Sequence, residues 1–155
     1  MAPHEGWRPF RRRLEVRRPT PAAGAHETRG DAAPVSDCVF CGIARGTIPA
    51  RVIYQDELVV AFDDIHPQAP VHALIIPRSH HEHLGDSVSA ELMAALFSAV
   101  PLVAAVKGVD ESGYRVIVNA GRDAKQTVQH LHVHVLGGRM MSHGMVLFTP
   151  GDDDV

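Results

Sequence analysis

The stretch His130-Leu131-His132-Val133-His134-Val135-Leu136 decides how this chain is read. In an extended segment alternate side chains share a face, so the three imidazoles point to one side while Leu131, Val133 and Val135 point into a core. Imidazole serves near neutral pH as nucleophile, acid, base or metal ligand. Three on one face therefore fit a histidine that attacks phosphorus with two assistants, a three-histidine metal site with an open position, or a solvated strand face. The clean apolar face and the following Gly137-Gly138 pair, which lets another backbone approach closely, speak against the solvated face. Spacing alone leaves the other two open.

Working outward, residues 114–118 form a β-rich run before a loop at 119–129 that leads into the strand 131–136. Upstream, Leu92, Met93, Leu96, Phe97, Val100 and Val103 recur at helical spacing over 87–107. Asp86 or Ser87 is the expected cap and Gly108 the stop, and Pro101 predicts a kink or break. Three further β-rich runs, 51–54, 58–62 and 71–76, precede that helix. A short helix carrying Val39, Phe40 and Ile43 begins the series, with Asp37 as expected cap and Gly46 as stop. Strands, one long helix, then strands again predict an α+β fold with an antiparallel five-stranded sheet.

The chain of 155 residues, 45% of them hydrophobic, suits one domain, and the expected domain spans 37–141 with a tail at 142–155. Residues 1–36 hold seven arginines, four acids and five prolines with few large aliphatics, and are expected to be a disordered extension. The net charge of -3 and a pI near 6.4 offer no basic field, so no nucleic-acid polymer is expected as partner. No run approaches the roughly 18 apolar residues of a membrane helix, and no signal-peptide core is evident. The expectation is a soluble cytoplasmic protein without a membrane partner. Neither G-x-G-x-x-G nor a phosphate-loop signature occurs.

Cys38 and Cys41, the only cysteines, are spaced to grip one ion from the first turn of a helix, with histidines as the remaining ligands of a tetrahedral zinc site. The alternatives are two small buried residues or a redox pair, although the usual βαβ context of the latter is missing. His66, His81, His83 and His143 read as surface histidines.

Several motifs occur together and in order: A-F-D-D-I-H-P-Q-A-P-V-H at 61–72, I-I-P-R-S-H at 75–80, G-Y-R-V-I-V-N-A-G at 113–121 and H-L-H-V-H-V-L-G-G-R-M at 130–140. In these the chain resembles the histidine triad (HIT) family, and within it the Hint branch of purine nucleoside phosphoramidases. The resemblance implies hydrolysis of nucleoside phosphoramidates or related adenylate derivatives through a nucleotidyl-histidine at His132, by a homodimer whose two sheets join. It implies that His130 and His134 position the nucleophile and the phosphate, and that Thr127, where the family commonly has serine, lies near the leaving group. Asn119 is implied beside the phosphate and the ribose 5′ oxygen, and Asp64 as acceptor for the ribose hydroxyls. Val39, Phe40, Ile43, Phe62 and Ile65 are implied as an apolar slot for the purine base, although each is also an ordinary core residue. Bacterial HIT proteins with the C-x-x-C pair further imply zinc held by Cys38, Cys41, His80 and His130, with His72 as a competing ligand. The loop before the triad departs from the family, since Arg122, Asp123, Ala124 and Lys125 replace a more glycine-rich stretch; Lys125 or Arg122 then adds positive charge near the leaving group. Rival readings are a dinucleoside polyphosphate hydrolase or nucleotidyltransferase of the same superfamily, and a nucleotide-binding regulatory protein.

Overall fold

Five runs rich in β-branched residues form strands β1 (Val52–Gln55), β2 (Val59–Asp63), β3 (Val71–Pro77), β4 (Tyr114–Val118) and β5 (Val133–Gly137), with helices α1 (Val39–Ala44) and α2 (Ala90–Val106). This computed structural model describes residues 38–142; the segment 1–36, Asp37, His143 and the rest of the tail lie outside the described residues. The strands make one antiparallel sheet in the order β1-β2-β3-β5-β4, as the order of strands and helix predicts. Among the described residues no helix is long and apolar enough to cross a membrane.

Each face of the sheet has its own core. On one, Ile75, Val133 and Val135 pack with Leu131 against Leu92, Leu96, Val100 and Val103 of α2. Each such fully buried aliphatic contributes roughly 1.5–3 kcal/mol of transfer free energy. On the other, Val60, Phe62, Leu74 and Ile76 pack with Phe40 and Ala44 of α1. Covered on both sides, β3 reads as a nearly continuous buried run rather than an alternation.

Four local expectations need correction. The ladder of the triad strand starts at Val133, so His130 and His132 precede the strand: His130 lies in a bend, its N–H donating to the Val128 carbonyl at 2.8 Å, and Leu131 and His132 lead from it into β5. Ile75 pairs with Val133, and that register carried two residues further sets Leu131 opposite Pro77, which has no N–H to extend the ladder. Leu131 N–H donates instead to the His81 carbonyl at 2.6 Å. The long helix is capped by Ser89, whose hydroxyl accepts from Leu92 N–H at 3.1 Å. Asp86 and Ser87 are engaged one turn earlier, where the Asp86 carboxylate accepts from Glu82 N–H and Ser87 turns to φ +47°. Pro101 does not break α2: it lies on the exposed side of the helix, and so does Phe97, whose carbonyl it leaves free and which water can satisfy. Finally, the cap of α1 is Cys38, without a side-chain bond, rather than Asp37. Gly46 and Gly108 take left-handed turns just past the two helices, as expected of stops.

Candidate active site

The even-numbered residues of β5 and β3 face α1, so the face expected to carry imidazoles is buried rather than open. His132 is 3% exposed, its ring edge-on to Phe40 of α1 with centroids 5.4 Å apart. Its Nδ1 lies 2.7 Å from the His130 carbonyl. A carbonyl only accepts, so Nδ1 carries the proton and Nε2 of the neutral ring keeps a free lone pair.

A second chain of bonds settles the neighbouring rings in the same way. Gln68 N–H donates to His72 Nδ1 at 3.2 Å, which places the His72 proton on Nε2. That Nε2 lies 2.9 Å from His134 Nδ1 and donates to it, with an Asp64 carboxylate oxygen at 3.5 Å. The His134 proton is therefore on Nε2, a buried atom without a hydrogen-bond partner among the described residues. Burial pushes His134 down to about 4, aided by His132 and His72 and opposed by Asp64; burial likewise lowers His72. Both rings are thus neutral at pH 7, as this pattern of bonds requires. His72 and His134 meet because Leu74 pairs with His134, which makes His72 its diagonal neighbour on the same face.

These groups open into a cavity of about 580 Å³. Ten of the residues expected around the nucleotide line it: Val39, Phe40, Ile43, Phe62, Ile65, Asp64, Asn119, Thr127, His132 and His134. Its wall is apolar at the α1 end, where Ile48 and Leu74 join the expected slot, and polar where Asp64, Asn119 and the histidines converge. Ile65 is 85% exposed, at the rim rather than in the floor. His130 is not in the wall. The exposed His66 does line the cavity, whereas His81 and His83 are half-buried, His81 bonded through Nδ1 to the Asp86 carbonyl and His83 Nδ1 accepting from Gly85 N–H, so neither is a plain surface histidine.

His130 belongs to a different cluster. Its Nδ1 lies 3.4 Å from the Cys38 sulfur and 3.5 Å from the Cys41 sulfur, and His80 Nδ1 lies 3.3 Å from the Cys41 sulfur. The four ligand atoms lie within 4.8 Å of one another, close enough to hold one metal ion. A tetrahedral ion with metal–sulfur bonds of about 2.3 Å and metal–nitrogen bonds of about 2.0–2.1 Å sets its N and S ligands roughly 3.5 Å apart, so the separations fit. His130 Nε2 donates to the Pro77 carbonyl at 3.0 Å, which leaves Nδ1 unprotonated and oriented, as a metal-bound imidazole requires. His72, the competing ligand, falls in the other cluster with Asp64 and His134.

Sequence reasoning missed His72 as a partner of the triad and Gln126 as a brace. The buried Gln126 side chain donates to the Glu82 and Val128 carbonyls and accepts from Gly121 N–H, which ties down the loop before the triad. The only signal for His72 was its place in the run Val71–Pro77, where continuous burial hides which residues share a face.

A model of the HIT domain matches residues 45–141. The chain is 44% identical over 114 residues to the purine nucleoside phosphoramidase of Escherichia coli, covering 69% of this chain and 95% of that protein. Among solved structures, a HIT family hydrolase from Clostridium thermocellum superposes with a TM-score of 0.69 at 41% identity, covering 72% of this chain and 99% of its own. One from Legionella pneumophila gives 0.66 at 42%, covering 69% and 97%. Sheet order, clustered histidines and these likenesses agree, and the chain belongs to the HIT domain family.

Proposed function

We propose that this chain hydrolyses purine nucleoside 5′-phosphoramidates and related adenylate derivatives through a covalent nucleotidyl-histidine at His132. The observation that carries the reading is the tautomer of His132. A buried imidazole tied through Nδ1–H to the His130 carbonyl keeps its Nε2 lone pair for a bond to phosphorus. Beside it, the partnerless Nε2–H of His134 needs an acceptor, and a phosphate oxygen supplies one. In the first step Nε2 of His132 bonds to the α-phosphorus as the phosphorus–nitrogen bond breaks. The leaving nitrogen takes up a proton and departs as an amine, with the Thr127 hydroxyl as its hydrogen-bond donor. Water then bonds to phosphorus, the histidine–phosphorus bond breaks, and the proton that water releases balances the one consumed. Asp64 accepts from the ribose hydroxyls, Asn119 lies against the phosphate and the 5′ oxygen, and Val39, Phe40, Ile43, Phe62 and Ile65 hold the base.

Zinc at Cys38, Cys41, His80 and His130 belongs to the same reading. Burial, with the neighbouring Cys38 thiol, pushes the Cys41 thiol up to about 11, a site where a cation compensates for deprotonation. The ion would be structural, joining α1 to the segment that carries His132 while His132 stays outside its ligand set. The reading also takes the chain as a cytoplasmic homodimer with two sheets joined at an edge; β4 is such an edge strand.

Acid-quenched mass spectrometry during turnover of adenosine 5′-phosphoramidate tests the mechanism. Wild type is expected to yield a nucleotidylated peptide containing residue 132, and His132→Ala none. Turnover by wild type without that adduct in the quench, or an adduct on another residue, overturns it.

A further inference from the structure

The loop before the triad holds a residue whose backbone is ill suited to it. Lys125 is left-handed at φ +57°, a conformation that a Cβ disfavours and glycine accepts freely. The surrounding bonds impose that turn: Lys125 N–H donates to the Arg122 carbonyl at 2.9 Å and Gln126 N–H to the Gly121 carbonyl at 3.1 Å, while the Gln126 side chain pins the next residue. None of this uses the Lys125 side chain, so packing does not explain why a lysine stands there. The residue lines the cavity with Thr127 and Asn119 and, among the described residues, is the only lysine or arginine in that wall. Among the described residues its ammonium has no ion-pair partner, whereas Asp63 of the same wall is already paired with Arg51 and Lys107. Arg122, the other cation of the loop, is 95% exposed, pairs with Asp123 at 3.1 Å and does not line the cavity.

From the strained backbone, the cavity wall and the unpaired charge we infer that Lys125 determines leaving-group specificity: its ammonium binds an anion carried by the departing group. The favoured substrates are then nucleoside 5′-phosphoramidates whose amine bears a carboxylate or phosphate a few bonds from the scissile bond. The inference rests on the hydrolase reading above and extends it to the substrate class. Lys125 takes no part in bond making; the phosphorus–nitrogen bond breaks and His132 accepts phosphorus as before. An exposed ammonium meeting an anion within a partly desolvated rim gives a preference of about tenfold, the scale of one charge-assisted hydrogen bond.

The test compares kcat/KM for adenosine 5′-phosphoramidates of glycine and of glycine methyl ester, which differ by one negative charge, in wild type, Lys125→Met, Lys125→Gly and Lys125→Arg. Wild type is expected to favour the acid about tenfold, Met and Gly to bring the ratio to about one, and Arg to keep most of it. High salt is expected to shrink the wild-type ratio. Variants that lose rate on both substrates in proportion, as contact with the α-phosphate or a structural role predicts, overturn the inference. So does a wild type that cleaves both without discrimination, which leaves the hydrolase reading intact. Cleavage of neither overturns that reading and takes this inference with it.

Discussion

His130 and His134 stand four residues apart, and burial pushes both down to about 4, yet their ring nitrogens meet opposite surroundings. At His130 each nitrogen has a use: Nε2 donates to the Pro77 carbonyl, and Nδ1 points between two sulfurs. At His134 Nδ1 accepts from His72, and Nε2–H ends in the cavity wall with nothing among the described residues to donate to. Buried polar groups in folded proteins are nearly always partnered, so an orphan donor marks the place a ligand fills, and a fully partnered ring marks a brace. One short segment thus carries a closed cluster at its start and an open one at its end. His132 between them is tied to the closed side through the His130 carbonyl.

The largest effect that breaks or keeps this contrast comes from His134→Leu. If His134 donates to a phosphate oxygen as proposed, losing that donor lowers kcat by about 10²–10³-fold. Thermal stability is expected to move little, because the change removes one unsatisfied buried donor, His134 Nε2–H, and the His72 Nε2–H that it frees keeps an Asp64 carboxylate oxygen at 3.5 Å as acceptor. Steady-state kinetics beside thermal melts check both halves, and a variant within about threefold of wild type would erase the distinction. Next in size is removal of the closed cluster. Cys38→Ala with Cys41→Ala is expected to take bound zinc from one per chain to none and to lower Tm by about 10 °C or more. Its kcat per folded molecule is expected to fall far less than that of His134→Leu. Metal analysis decides the point, and retained stoichiometric zinc sinks the assignment.

The smallest effect is on pH dependence. The His134 ring has a lower pKa in the folded chain than its ordinary 6.5, so the unfolded chain binds the proton more readily. Its contribution to stability is complete above pH 6.5 and is lost as the pH falls from there toward 4. Melts at fixed metal content between those values are expected to show a gentler slope for His134→Leu than for wild type, by up to about one proton. Equal slopes would place the acid sensitivity elsewhere.

Much of this contrast was legible before any coordinates. Alternation set Leu131, Val133 and Val135 toward one core, and they pack there against α2. The expected runs 58–62, 71–76 and 114–118 lie within a residue of the strands Val59–Asp63, Val71–Pro77 and Tyr114–Val118, since β-branched residues and bounding turns are local signals. The Cys38, Cys41, His80 and His130 set, read by resemblance, converges to within ligand distance. What escaped was set by partners distant in sequence. That the ladder begins at Val133 depends on Pro77 lying opposite, and the start of α2 at Ser89 depends on Asp86 and Ser87 being taken up by the preceding turn. Which of Arg122 and Lys125 lines the cavity depends on how the loop turns, which only its hydrogen bonds to distant residues fix.

The order of residues by itself determined periodicity, and so the strands, the helix and the alternation that sends histidine one way and valine the other, because these are properties of a backbone with fixed repeat. Tertiary structure decided what each imidazole is for. A histidine's tautomer follows from the hydrogen bond its other nitrogen makes, and for His134 that partner is His72, 62 positions away and brought alongside only by the register of two strands.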